Sequence, residues 1–203
     1  MHRGGRSSPS GPRPRRPDRL RAAPGTCTLA DLVAAAARRR HGAPATRAAL
    51  MLADGRSESA WETLLRLLHV VCGIAVEAQV ELLDEYGSFF ARADLRVSGT
   101  SLLQEYDGAQ HRDAAEQRKD LRRARRIADI DMVRRGYVAP DLLQHAHLVL
   151  RAADEALRRP RPTDPGPWLR LVAGSLYTPA GQRAFLERVR RMWTHLRIPG
   201  ASE

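Results

Sequence analysis

Lysine is nearly absent: of the 34 basic residues, Lys119 alone is not arginine. The imbalance tracks GC-rich coding and says little about function by itself. Aromatic residues make up only 5% of the chain, so a core has to come from leucine, valine and alanine. Neither cysteine, Cys27 or Cys72, stands at disulfide-framework or metal-ligand spacing, which points to a reducing, cytoplasmic setting. No apolar run approaches the ~18 residues of a membrane span, so no membrane partner is expected. The first residues are rich in arginine and proline without an apolar stretch, which is not the pattern of a secretory signal.

What is present is a 203-residue chain with 43% hydrophobic and 28% charged residues, a globular balance, and a net charge of +11. Positive charge of that size favours a polyanionic partner. Residues 1–25 hold seven arginines, five prolines and four glycines against one acid, Asp18, and read as a disordered basic tail. Residues 26–56 read as a short helical segment: Thr28 and Asp31 form a capping box for Leu29 to Arg40, and a second helix runs from Pro44 to Gly55. Residues 57–158 carry the main domain, and 159–203 a proline-rich linker followed by a C-terminal helical extension.

In the main domain, Ser59 and Glu62 cap a helix over Ala60 to Cys72. Its apolar residues Trp61, Leu64, Leu65, Leu68 and Val71 recur at helical spacing, with Arg66 and His69 on another face. Ile74 to Leu83 alternates as a strand, Ser88 to Val97 is a second and Thr100 to Asp107 a third. Arg112 to Ile130 is a basic helix with Leu121, Ala124, Ile127 and Ala128 as its buried stripe. Met132 to Ala139 is a poor fourth strand because of Arg134-Arg135-Gly136. Asp141 to Arg158 is helical, and Pro179 to Leu196 is a last helix.

The stretch Asp94 to His111 concentrates the chemistry. With Gly99-Thr100 as a two-residue loop, Gly99 taking φ > 0, residues whose numbers sum to 199 face each other. Asp94 then lies opposite Glu105, and Asp107, two residues on, shares that face. Like charges placed so are destabilising, so a positive charge belongs among them, a divalent metal on carboxylate oxygens being the natural candidate.

These residues carry a resemblance. Ser57-Glu58-Ser59-Ala60-Trp61-Glu62 on a helix is followed by Arg92-Ala93-Asp94 on a strand. Glu105-Tyr106-Asp107-Gly108-Ala109-Gln110-His111 comes next, then Asp120-Leu121-Arg122 on a basic helix. The set resembles the very-short-patch-repair-like endonuclease domains of uncharacterised bacterial proteins, within the restriction-endonuclease-like or PD-(D/E)XK superfamily, over residues 44–150.

The resemblance implies an α/β (α+β) fold with a restriction-endonuclease-like core. Its mixed sheet has α-β-β-β-α-β order, and here it gains helical N- and C-terminal extensions. It also implies Mg²⁺- or Mn²⁺-dependent hydrolysis of DNA phosphodiesters. Asp94 matches the first acidic position and Glu105 the second; Asp107 stands where the superfamily often has lysine, which leaves the general base unassigned. Lys119 is a migrated lysine or simply a solvated or phosphate-facing residue.

The expected metal set is Asp94, Glu105 and Asp107. His111 is a phosphate contact, a proton donor to the leaving group, or a loop histidine. Glu58 or Glu62 reaches the metal, or both only cap their helix. Arg112, Arg118, Lys119, Arg122 and Arg123 either grip DNA phosphates or form a solvated face. The rival reading is a catalytically inactive nuclease-like protein that binds nucleic acid or regulates a toxin–antitoxin pair. It is motivated by the missing lysine and the irregular fourth strand.

Overall fold

The computed structural model describes residues 27–40, 42–108 and 114–195. The basic tail, His111 and Arg112 lie outside them. The chain divides into two units, with the boundary between Ala53 and Asp54. Among the described residues no helix is long and apolar enough to cross a membrane.

The first unit is a helical pair, α1 (Leu29–Ala37) and α2 (Ala43–Leu52). The capping box at α1 forms as expected. Thr28 Oγ1 accepts the Asp31 N–H at 3.1 Å, and Asp31 Oδ2 accepts the Thr28 N–H at 2.8 Å. Two of the orphan donors at the helix start are thereby satisfied. Gly42, with φ of +83°, turns the chain into α2, and Arg47 Nη1 ties the pair by donating to the Ala36 carbonyl at 2.8 Å.

The second unit is built on a four-stranded mixed sheet in the order β1-β2-β3-β4. Helix α3 (Ala60–Val71) precedes β1 (Val76–Leu83), β2 (Phe89–Val97) and β3 (Leu102–Tyr106), an antiparallel meander. Helix α4 (Ala114–Asp129) crosses over to β4 (Val133–Tyr137), which pairs parallel with β3. A parallel pair cannot be joined by a tight turn, and the basic helix supplies the required crossover. The α-β-β-β-α-β order is thus the one expected.

Local sequence explains the ends. Ser59 Oγ accepts the Glu62 N–H at 3.1 Å, and Gly73 at φ +75° stops α3 in the left-handed conformation glycine tolerates. The β2–β3 connection differs in detail from expectation. The Thr100 N–H donates to Val97 O at 3.1 Å, so Gly99 (φ +75°) is the third residue of the turn rather than its second. The register survives: Leu95 pairs with Gln104 and Arg96 with Leu103.

One sheet face packs against α3, α6 (Ala146–Ala156) and α7 (Gly166–Val172), in a core that includes Leu65, Leu68, Leu95, Leu102, Val149, Leu150 and Trp168. A smaller cluster gathers Leu82, Ala91, Ala93 and Leu103 with Ile127 of α4. Three expectations are corrected here. Asp141 to Arg158 is two helices, α5 (Ala139–Leu143) and α6, broken at Gln144–His145. The proline-rich stretch opens into α7, whose Trp168 is fully buried and donates its indole N–H to Leu142 O at 2.6 Å. In α4 only Ile127 of the expected stripe is buried; Leu121 is 60% exposed, and Ala124 and Ala128 are exposed too. The last helix, α8, spans Pro179–His195.

Candidate functional site

Alternation along β3 divides its side chains between the two faces. Leu102 and Gln104 turn toward α6, where Gln104 Nε2 donates to Val149 O at 3.4 Å and to the Tyr137 hydroxyl at 3.3 Å. Leu103 and Glu105 turn toward α4. Glu105 is only 4% exposed. A carboxylate so buried needs opposite charge and hydrogen bonds to stay ionised, and it has both. Arg123 of α4 is bidentate on it, Nη2 to Oε1 at 2.5 Å and Nη1 to Oε2 at 3.0 Å. Arg134 of β4 adds Nε to Oε2 at 2.5 Å and extends Nη2 to Asp107 Oδ1 at 2.6 Å.

The positive charge that the acidic hairpin requires is therefore supplied by two guanidiniums. Among the described residues no group of three or more His, Cys, Asp or Glu side chains is arranged to hold a metal ion.

The irregular look of β4 now has a cause. Gly136 pairs with Glu105, and a Cβ there would lie 1.7 Å from Asp107 Oδ2. The glycine makes room for the Asp107 carboxylate, and Arg134, two residues earlier on the same strand, clasps it. Neither residue was singled out in the sequence as part of the site. The signal was there: an arginine and a glycine two apart, in a strand that should otherwise be apolar.

Asp94 is placed otherwise. Its Oδ2 accepts the Tyr106 N–H at 2.9 Å, and among the described residues no guanidinium hydrogen-bonds to it. Burial pushes its carboxyl up to about 6. The nearby charges of Glu62 and Glu105 add to the rise, while the Tyr106 hydrogen bond and Arg123 oppose it. Between the Ala78–Leu95 and Val80–Ala93 pairs, the register leaves Gln79 opposite Asp94. Gln79 has φ of +57°, a left-handed conformation that costs a non-glycine residue roughly 1–2 kcal/mol. Its Nε2 donates to Glu62 Oε2 at 2.8 Å.

Of the two helix-start glutamates, it is thus Glu62 that acts on Asp94, while Glu58 is 61% exposed and pairs with Arg92. Glu62 also accepts the Glu58 N–H at 2.8 Å, so both glutamates take part in the helix start. Tyr106 stacks on Trp61 of α3 with centroids 5.1 Å apart and planes 6° from parallel.

Arg118, Lys119 and Arg122 are exposed along α4, whereas Arg123, grouped with them by sequence, turns inward to Glu105 and to the Arg92 carbonyl at 2.8 Å. Phe90, Lys119, Asp120, Arg122, Arg123 and Arg126 line a cleft of about 290 Å³. The Arg126 guanidinium lies 4.2 Å above the Phe90 ring and 3.1 Å from Asp84 Oδ2, which pins α4 to the β1–β2 hairpin.

Beneath the site, His69 is fully buried with Nδ1–H donating to Leu65 O at 2.8 Å, while among the described residues its Nε2 and Gln104 Oε1 have no hydrogen-bond partner. Burial lowers the His69 imidazole to about 4, against the pull of Leu65 O, Gln104 and Asp154.

No protein-family model, curated protein or solved structure matches the chain.

Proposed function

We propose that the chain is a divalent-cation-dependent endonuclease that hydrolyses DNA phosphodiester bonds on a restriction-endonuclease-like core. The observation that supports this reading is the β2–β3 register, Leu95 opposite Gln104, whose continuation by one residue would set Asp94 across from Glu105 beside a helix with an exposed cationic face. The donor set suits a hard cation such as Mg²⁺ or Mn²⁺. Burial raises the Asp94 carboxyl to about 6, with smaller contributions from Glu62 and Glu105, and a cation beside it would favour the ionised form.

A cation held by Asp94 and Glu105 supplies Lewis acidity and a more acidic bound water. The chain's own residues do the rest. Asp107 orients the attacking water. Arg118, Lys119 and Arg122 draw in the phosphate backbone through exposed charge, an attraction that weakens as salt rises. His111 and Arg112, outside the described residues, come three and four residues after Gly108 in sequence and are assigned to the leaving-group and phosphate side. Glu62 rather than Glu58 completes the acidic group through its effect on Asp94.

Nicking of supercoiled plasmid in Mg²⁺ by the parent, Asp94→Ala and Glu105→Ala proteins tests the reading. Parent activity that both variants lose is expected; equal activity of all three refutes it. The clasp of Arg123 and Arg134 on Glu105 favours a second reading, a nuclease-like protein that binds nucleic acid without cutting it. That protein would bind DNA in a salt-sensitive way with or without cation and nick nothing.

A further inference from the structure

The exposed face of α4 presents more than charge. Lys119, Arg122 and Arg126 stand at i, i+3 and i+7, on one side of the helix, and all three are exposed. Together with Phe90 of β2, Asp120 and Arg123 they line the cleft of about 290 Å³. That volume sits at the lower end of small-ligand sites, roughly 300–1,000 Å³. It suits one nucleotide and is too narrow for a duplex.

The lining is of two kinds. Phe90 is part-buried and packs against the cluster of Leu82, Ala91, Ala93, Leu103 and Ile127, which fixes its ring. The Arg126 guanidinium is seated 4.2 Å above that ring and tied to Asp84 Oδ2 at 3.1 Å, yet its side chain stays 48% exposed. A guanidinium is planar, weakly hydrated and stacks on π systems. One already held on a ring offers a second ring a preorganised place to stack. Arg122 lies one turn away, about 6 Å along the helix axis, comparable with the reach from a base across its sugar to its own phosphate. Asp120 in the same lining makes the cleft a poor trap for a bare anion. A ligand that is part ring and part charge matches it better.

We infer that this cleft binds one unpaired nucleotide of a nucleic-acid strand, its base stacked against the Arg126–Phe90 pair and its phosphate on Arg122 and Lys119. A strand is favoured over a free nucleotide by the net charge of +11 and by Arg118 and Arg125, exposed on the same helix. A base inside a duplex is excluded, because its faces are already covered by its neighbours in the stack. The inference rests on the nucleic-acid partner of the reading above, and on neither its cation nor its cleavage.

The test is binding of a short labelled DNA single strand and of the matching duplex, read by fluorescence anisotropy in EDTA. It uses the full chain and its Phe90→Leu and Arg126→Lys variants, with urea unfolding confirming that each is folded under assay conditions. The first keeps apolar bulk and the second keeps charge, while each loses a flat stacking surface. Both are expected to bind the single strand roughly tenfold more weakly than the parent and the duplex equally well. The parent should bind an abasic single strand as weakly as the variants bind the normal one. Lys119→Gln and Arg122→Gln should weaken both forms, each lowering the salt slope on the single strand by about 0.7.

Equal losses on the two forms, or undiminished single-strand binding, overturn the inference. So does absence of binding to either form at low salt. Deoxyadenosine monophosphate that binds as tightly as the strand would mean a free-nucleotide site and refute the strand assignment. Plasmid nicking by the parent in Mg²⁺ keeps the two ideas apart. Nicking without the single-strand pattern sinks the cleft alone; the pattern without nicking sinks the nuclease reading and leaves the cleft standing.

Discussion

Gly136 offers the sharpest test of how β3 and β4 fit together. An alanine there places its Cβ 1.7 Å from Asp107 Oδ2 and 2.7 Å from Cγ, and the three nearest atoms all belong to Asp107. The strand backbone is in hydrogen-bonded register with Glu105 and cannot move cheaply, so the Asp107 side chain must leave. Leaving breaks its 2.6 Å bond to Arg134, an ion pair whose side chains are 25% and 29% exposed. Partial exposure keeps that loss to about 1 kcal/mol. An off-rotamer Asp107 adds about another 1 kcal/mol. Against this, alanine in a strand gains roughly 0.5–1 kcal/mol over glycine.

Gly136→Ala should therefore cost about 1 kcal/mol alone and turn neutral or mildly stabilising when Asp107 is already alanine. The coupling is about 1–2 kcal/mol, within the range for residues in contact. Urea unfolding of the four proteins of this cycle, in EDTA, measures it. An equal cost in both backgrounds would refute the fit of Asp107 over Gly136.

Other expectations concern the core and the site's underside. His69 is held neutral, at about 4 against an ordinary value of 6.5, so its stabilising share is complete above pH 6.5 and is lost as pH falls toward 4. The loss is about 3 kcal/mol in unfolding free energy, and His69→Leu should flatten that part of the pH profile. Trp168→Ala should destabilise by about 3–5 kcal/mol, whereas Trp168→Phe, which keeps the bulk and drops the bond to Leu142 O, should cost less. Circular dichroism during urea titration distinguishes the two. Glu105→Gln leaves Arg123 and Arg134 facing a neutral amide, and should destabilise the cation-free protein by up to about 3–5 kcal/mol. A change near zero would mean that the clasp is not holding β3, α4 and β4 together.

Much of this fold was legible because its signals are local. The spacing of Trp61, Leu64, Leu65, Leu68 and Val71 set α3, whose buried Leu65 and Leu68 sit where the stripe requires. Thr28, Ser59 and Gly73 marked helix ends within a residue or two. Gly99 carried the register of the hairpin even though the turn type differed, because the whole connection between Val97 and Leu102 is still centred between Gly99 and Thr100.

What escaped the sequence was settled at long range. Nothing near Arg123 or Arg134 announces that each will meet Glu105, 18 and 29 residues away in the chain. An exposed and an inward arginine look alike on a basic helix, so Arg123 was grouped with Arg118 and Arg122. Gly136 read as a flaw in a strand because its justification, the Asp107 carboxylate, comes from a neighbouring strand. Trp168 was hidden by the prolines around it, which signal a linker equally well when they introduce a short helix.

The Trp61–Tyr106 stack gives this protein an optical handle. Tyr106 is the residue between Glu105 and Asp107, and its ring lies nearly flat on the Trp61 indole. Any shift of β3 is passed to a fluorophore in direct contact. The emission of Trp61, isolated by comparison with Trp61→Phe, is thus a label-free readout of the position of β3.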